Sequence, residues 1–119
     1  MKKNNKLVPD KIPNIVKTYN KLVRNKIPNI IKADGVKCKT HVATNDEYRM
    51  RLPIKLKEEV NEFIQNVCVE EIADILEVIE AIAKAEGISL NEIKQKKLEK
   101  RKTHGSFTKH IVLEWTEEK

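Results

Sequence analysis

Apolar residues recur at helical spacing over the central half of the chain. In the first stretch they are Leu56, Val60, Phe63, Ile64 and Val67. This spacing places them on one face and predicts a helix over residues 54–66. The pattern repeats over residues 70–86 and predicts a second helix, for which Gly87 is a suitable C′ residue. A Ser-Leu-Asn-Glu capping box predicts a third helix over residues 89–102.

Weaker signals flank these three helices. Residues 44–47 fit another capping box and predict an earlier helical segment, which Pro53 either kinks or restarts. Residues 36–43 and 109–115 alternate between apolar and polar side chains, so we expect a small hairpin-like strand pair at the edge of the fold. Short amphipathic helices from one chain leave apolar flanks exposed. The pattern therefore predicts a mainly α fold, a helical bundle completed by homo-oligomerisation.

An internal repeat precedes the helices. Residues 5–17 (NKLVPDKIPNIVK) and 20–32 (NKLVRNKIPNIIK) agree at ten of thirteen positions and are offset by fifteen residues. Only one copy can occupy a given groove. We therefore expect residues 1–18 to form a duplicated arm, mobile or peripheral, and residues 19–119 to form one domain.

The distribution of charge along the chain is more informative than the total charge. The chain of 119 residues carries a net charge of +6, and residues 1–32 contain nine basic residues and one acid. Residues 58–83, in contrast, contain eight carboxylates and no Lys or Arg. Such an acidic stretch would not help a domain that only binds nucleic acid, because phosphates are also negatively charged. The sequence shows no bilayer-spanning run, no secretory signal and no disulfide framework, so we expect a cytoplasmic protein without a membrane partner.

The acidic residues form two patterns on the predicted helices. Glu58, Glu59 and Glu62 make E-E-x-x-E, and Glu71 and Asp74 make E-x-x-D. Residues three apart share a helix face, so two such pairs on antiparallel helices would converge on one small volume. Carboxylates that close repel one another unless a cation lies among them, and their oxygens suit Mg²⁺ or Mn²⁺. A solvated acidic face is the alternative, and the helical-wheel positions leave both interpretations open.

These patterns resemble a known superfamily. E-E-x-x-E followed by E-x-x-D is similar to the MazG-like, all-α nucleoside triphosphate pyrophosphohydrolases. More narrowly, YNKLVRNKIPNIIKADG, EEIADILEVIEAIAKAEGIS and KRKTHGSF…IVLEW resemble its phosphoribosyl-ATP pyrophosphohydrolase-like branch. The resemblance covers residues 19 to about 117. It implies Mg²⁺-dependent cleavage of a nucleotide between the α and β phosphates, which yields a nucleoside monophosphate and pyrophosphate.

The resemblance also implies roles for individual residues. The metal ligands would be Glu59, Glu62, Glu71 and Asp74. Glu59 would also act in catalysis together with Glu58, which could orient the attacking water. The residues expected to hold phosphate are Arg24, Lys26, Lys97 and Arg101, although each on its own could equally be ordinary surface charge. Only eight residues separate Glu62 from Glu71, so the turn between the two helices must be very tight.

Several functional alternatives stay open at this point. The substrate could be an ordinary or aberrant nucleoside triphosphate, or phosphoribosyl-ATP, which would place the chain in histidine biosynthesis. Asn25 stands where the family usually has Asp, and His104 stands where it has Arg, so an inactive oligomeric scaffold is a second possibility. A basic nucleic-acid-binding module is the third, although aromatic residues make up only 4% of the chain. The principal expectation is a Mg²⁺-dependent nucleotide pyrophosphohydrolase that works as a homodimer or tetramer.

Overall fold

Helices dominate the structure, as the spacing predicts. The computed structural model describes residues 15–119. Its helices are α1 (Ile27–Ala33), α2 (Asn45–Gln65), α3 (Val69–Ala85) and α4 (Leu90–His104). The prediction of a mainly α chain is therefore confirmed. Most of the predicted arm, residues 1–18, lies outside the described residues.

The helix ends follow the predicted signals. The Thr44 hydroxyl accepts a hydrogen bond from the Glu47 backbone N–H at the start of α2. Ser89 and Glu92 form a complete, reciprocal capping box at the start of α4. Gly87 follows α3 with φ +72°, the left-handed conformation that a C′ glycine adopts without strain. Side-chain caps thus set the starts of α2 and α4, and the backbone conformation of Gly87 sets the end of α3.

Pro53 lies inside α2 and does not restart it. The helix runs without interruption through its 21 residues. A proline removes one intrahelical hydrogen bond because it has no backbone N–H. Of the two outcomes predicted at Pro53, the restart is wrong, because α2 is one continuous helix.

The helices α2 and α3 form an antiparallel hairpin. Asn66, Val67 and Cys68 are the only residues between them, so the predicted tight turn is confirmed. This pair makes the only extensive helix–helix contact among residues 15–119. Its small core consists of Leu52, Val78 and Ala83. With dimensions of 81 × 34 × 28 Å, the described chain is elongated and leaves much apolar surface exposed.

The predicted strand pair is absent from the described part of the chain. Residues 36–43 and 109–115 have no strand structure and no ladder between them. Alternation favours an extended backbone, but a strand also needs a partner and a covered apolar face. Val42 is 98% exposed and Ile111 is 82% exposed, so neither segment has that covered face. The strand-pair prediction is therefore wrong.

The second repeat copy packs against the hairpin. We call its non-helical part, residues 20–26, the strap. The carbonyl oxygen of Asn20 accepts a hydrogen bond of 2.7 Å from Arg51 Nη1 on α2. The short helix α1 follows, with a proline in its first turn. Contacts between the strap and the hairpin fix the positions of two basic residues of this copy, Lys21 and Arg24.

None of the helices between residues 15 and 119 combines the length and the apolar character needed to cross a bilayer.

Candidate metal centre

Three carboxylates from the two arms of the hairpin lie together. Glu59 comes from α2, and Glu71 and Asp74 come from the start of α3. One oxygen of each lies within 4.8 Å of the other two. The short connection brings the end of α2 beside the start of α3, and the spacing of three residues keeps both α3 carboxylates on one face. The hairpin thus unites three of the four residues expected to bind metal. We call these three residues the carboxylate group.

The carboxylate group contains buried oxygen atoms without partners. Glu59 is only 8% exposed, and its Oε2 has no hydrogen-bond partner among the described residues. The same holds for Oε2 of Glu71. Burial raises the pKa of the Glu59 carboxyl, an effect that Lys55 opposes and that Glu62 and Asp74 reinforce. Burial and the same two acids also raise the pKa of Glu71.

These unpartnered oxygens suit a hard divalent cation. A carboxylate buried without a partner is costly, and like charges nearby add to the cost. A cation among the three oxygens would offset both effects. Carboxylate oxygens are the ligands that Mg²⁺ and Mn²⁺ prefer, and Mg²⁺ typically binds through one or two carboxylates plus substrate phosphates. The residues present therefore fit a divalent metal.

Glu62 lies beside the carboxylate group and is not part of it. Its side chain is exposed on α2, one turn after Glu59. Its negative charge nevertheless helps to raise the pKa values of Glu59 and Glu71. The structure therefore places this fourth predicted ligand next to the site, with its carboxylate available to solvent.

Glu58 faces two lysines instead of the other acids. Lys21 of the strap and Lys55 of α2 both donate hydrogen bonds to its carboxylate. Burial alone would raise the pKa of Glu58, but these hydrogen bonds outweigh it and lower the pKa below the ordinary value. Glu58 consequently stays ionised and fixed in position.

Arg24 of the strap reaches the carboxylate group directly. Its Nη2 donates a hydrogen bond of 2.7 Å to Asp74 Oδ1, and its Nη1 lies 3.8 Å from Glu77 Oε1. The hydrogen bond with Asp74 raises the pKa of the Arg24 guanidinium. The acidic stretch has no countercharge in its own sequence, so the fold supplies one from the second repeat copy.

The other predicted phosphate-binding residues have different positions. Lys26 is exposed beside Arg24, at the N-terminus of α1. Lys97 and Arg101 are exposed on α4, which does not pack extensively on the hairpin in the described part of the chain. Of the four predicted phosphate-binding residues, the structure therefore brings only Arg24 into contact with the acidic site among the described residues.

Sequence reasoning missed three residues around the site: Lys21, Lys55 and Glu77. A signal existed for Lys55, because it precedes Glu58 and Glu59 by three and four residues and so shares their helix face. The tertiary contact that joins the strap to α2 and α3 had no local signal.

Comparison with protein-family models, with curated proteins and with solved structures gave no match for this chain. The resemblance to the MazG-like superfamily therefore stays a prediction from sequence motifs.

Proposed function

We propose that this chain is a Mg²⁺- or Mn²⁺-dependent nucleotide pyrophosphohydrolase, which cleaves the bond between the α and β phosphates of a nucleoside triphosphate. The observation that carries the proposal is Glu59, whose buried, unpartnered Oε2 lies beside Glu71 and Asp74. A solvated acidic face would not bury a carboxylate in this way. The reaction is inferred from the motif resemblance, and the carboxylate group is the proposed binding site of the metal.

Each part of the site has a role in this reaction. The carboxylate group would hold the divalent cation, which when bound would draw charge from phosphate oxygens and lower the pKa of a water molecule. Arg24 lies at the edge of the group and can donate two hydrogen bonds to a phosphate. Lys26 adds positive charge beside it. Glu58, held ionised by its two lysines, can accept a hydrogen bond from the attacking water.

The same chemistry applies to phosphoribosyl-ATP, which also carries a bond between α and β phosphates. Phosphoribosyl-ATP therefore remains the alternative substrate. Lys97 and Arg101 have no assigned partner in the acidic site, and we propose that they reach phosphate only if another copy of the chain brings α4 to it.

We propose that the working form is a homodimer or tetramer. A stripe on α3 is exposed at helical spacing, with Ile72 45%, Leu76 52% and Ile79 37% exposed. Exposed apolar faces of this kind mark interfaces, and a second hairpin would convert the pair of helices into a four-helix bundle. Light scattering should give at least twice the mass of one chain, whereas a monomeric mass would contradict this part of the proposal.

The proposed reaction is tested by the release of pyrophosphate. The full chain is incubated with ordinary and aberrant nucleoside triphosphates and with phosphoribosyl-ATP, with and without Mg²⁺. We expect Mg²⁺-dependent release that Asp74→Ala abolishes. Asp34→Ala is the matched control, because Asp34 is exposed at the end of α1, outside the carboxylate group. It should retain full activity.

Two outcomes would contradict the proposal in different ways. Activity retained by Asp74→Ala would show that the carboxylate group is not the site. No release from any substrate, from a folded wild-type chain, would favour the inactive scaffold.

A further inference from the structure

An open cavity of about 870 Å³ lies between the strap and the helices. Residues 22–26 form one wall, and the first half of α2, the second half of α3 and the start of α4 form the others. Small-molecule sites typically occupy about 300–1,000 Å³. The cavity is therefore large enough for a nucleoside.

The lining of this cavity combines an apolar floor with an aromatic edge. Leu52 and Val78, two of the three buried core residues, form part of the floor. Tyr48 of α2 also lines it and is 37% exposed, so its ring is accessible. Ala81 on α3 is a small residue in the wall. Apolar surface with an accessible aromatic ring suits the flat face of a base.

Charged residues surround the apolar floor. Lys26, Lys55 and Lys84 line the cavity, as do Glu77 and Glu80. Lysines can approach phosphates, and carboxylates can accept hydrogen bonds from ribose hydroxyls or from base amino groups. This mixture differs from the apolar stripe on α3, which does not line the cavity and which we assign to self-association.

Two residues join the cavity to the carboxylate group. Arg24 lines the cavity and hydrogen-bonds to Asp74 at 2.7 Å. Lys55 lines the cavity as well, and its Nζ lies 4.0 Å from Glu59 Oε1. A molecule in the cavity would therefore lie with one end beside the candidate metal ligands.

We propose that this cavity binds the nucleoside part of the substrate, with the base against Tyr48 and the phosphates directed past Arg24 and Lys55 toward the carboxylate group. This inference rests on the proposed function, because it assigns the substrate of the same site. It makes the strap a wall of the substrate site, so the second repeat copy contributes to binding as well as to charge compensation.

Binding of product-like ligands tests the inference. Calorimetry would measure the dissociation constants of AMP, GMP, CMP and UMP for the full chain. Ala81→Phe should fill the cavity and weaken the binding of the preferred monophosphate by about tenfold or more. Ala73→Phe is the matched control, because Ala73 is exposed on the same helix and does not line the cavity. It should bind as the wild type does.

A second pair of variants covers the case in which Ala81→Phe does not fold. Tyr48→Ala removes the accessible ring and should also weaken binding by about tenfold. Tyr19→Ala removes the other tyrosine of the chain, which lies outside the cavity, and should leave binding unchanged. Ribose 5-phosphate, which lacks a base, should bind the wild type and Tyr48→Ala equally.

The outcomes separate this inference from the proposed function. If wild-type binding of monophosphates persists in Tyr48→Ala and in folded Ala81→Phe, the cavity is not the nucleoside site. A change of oligomeric mass in Ala81→Phe, without a change in monophosphate binding, would instead make the cavity an interface and overturn the inference. Titration with Mn²⁺ in the absence of nucleotide tests the metal site by itself, and we expect all four variants to bind Mn²⁺ as the wild type does.

Discussion

The α2–α3 hairpin and α4 are both helical but are stabilised in different ways. The hairpin contains every buried residue of the described chain, namely Leu52, Val78, Ala83 and Glu59. Helix α4 has 15 residues, none of them buried, and Leu98 near its middle is 54% exposed. Tertiary packing therefore stabilises the hairpin. Local interactions stabilise α4, chiefly its capping box and the Lys96–Glu99 ion pair.

This difference bears on where chemistry can occur. A reactive site needs side chains held in a fixed geometry, and packing provides that in the hairpin. The carboxylate group lies there, and the strap adds cations through contacts with the same two helices. The basic residues of α4 are not held by packing in this way. We therefore expect them to contact a substrate only after α4 packs against another copy of the chain.

The largest expected effect is a difference between the hairpin and α4 in their contribution to the free energy of unfolding. Leu52→Ala removes a side chain that is 4% exposed and should lower the free energy of unfolding by about 2–5 kcal/mol. Leu98→Ala, the same change on α4, should alter it by no more than about 0.5 kcal/mol. Urea unfolding measures both variants. Equal losses of stability in the two variants would instead show that α4 packs as tightly as the hairpin.

A smaller effect is expected at the start of α4. Ser89→Ala removes one half of the capping box and should destabilise the helix by about 1 kcal/mol. Because α4 lacks tertiary support, the loss should appear locally as faster amide exchange in its first turns. Ser106→Ala, in the loop after α4, serves as the control and should leave that exchange unchanged. Unaltered protection of α4 in Ser89→Ala would mean that packing, not the cap, stabilises the helix.

Removal of the contact between the strap and the carboxylate group should change the metal affinity modestly. Arg24→Ala removes the guanidinium that is paired with the Asp74 carboxylate, so Mn²⁺ should bind about two- to fivefold more tightly. Arg49→Ala removes a comparable ion pair, with Glu86 at 2.9 Å, and should not change Mn²⁺ affinity. Calorimetry distinguishes the two variants. Weaker Mn²⁺ binding in Arg24→Ala would show that the arginine supports the site instead of competing with the metal.

The smallest effect is a pH dependence at the capping box. Hydrogen bonds from the backbone and side chain of Ser89 lower the pKa of Glu92 below its ordinary value of 4.5. A lowered folded-state pKa stabilises the helix above about pH 4.5, and this contribution is lost as the pH falls through the folded-state pKa. The Cα chemical shifts of residues 90–93 should therefore move toward coil values on acidification. Glu92→Gln, which cannot ionise, should abolish this change in chemical shift. If the change persists in Glu92→Gln, another group causes it.

Helices α2, α3 and α4 could be predicted because their signals are local. Periodic apolar residues and caps at Thr44 and Ser89 lie within a few positions of the helices they define. The strand pair could not be predicted correctly, because alternation in residues 36–43 and 109–115 does not determine whether a partner exists. The continuity of α2 through Pro53 also depends on packing against α3, which is not a local property.

The site could be predicted in part for the same reason. Glu59, Glu71 and Asp74 follow from helical spacing and a tight turn. The ion pairs of Lys21 and Arg24 with acids on the hairpin join residues 37 and 50 positions apart, and no local pattern indicates such contacts. The cavity likewise needs the strap, α2, α3 and α4 together, so it was invisible in the sequence.

The proposed metal centre is tested most directly by the binding of a divalent cation to Glu59. Calorimetry with Mn²⁺ and Mg²⁺ would compare the wild type, Glu59→Gln and, as a control, Glu80→Gln, whose side chain is exposed on α3 outside the carboxylate group. We predict that the wild type and Glu80→Gln bind the metal and that Glu59→Gln does not. Because Glu59→Gln also removes a buried negative charge that lies beside Glu71 and Asp74, it should melt at a higher temperature than the metal-free wild type. A wild type without metal affinity, or a Glu59→Gln variant that binds the metal as tightly as the wild type, would contradict the proposed metal centre.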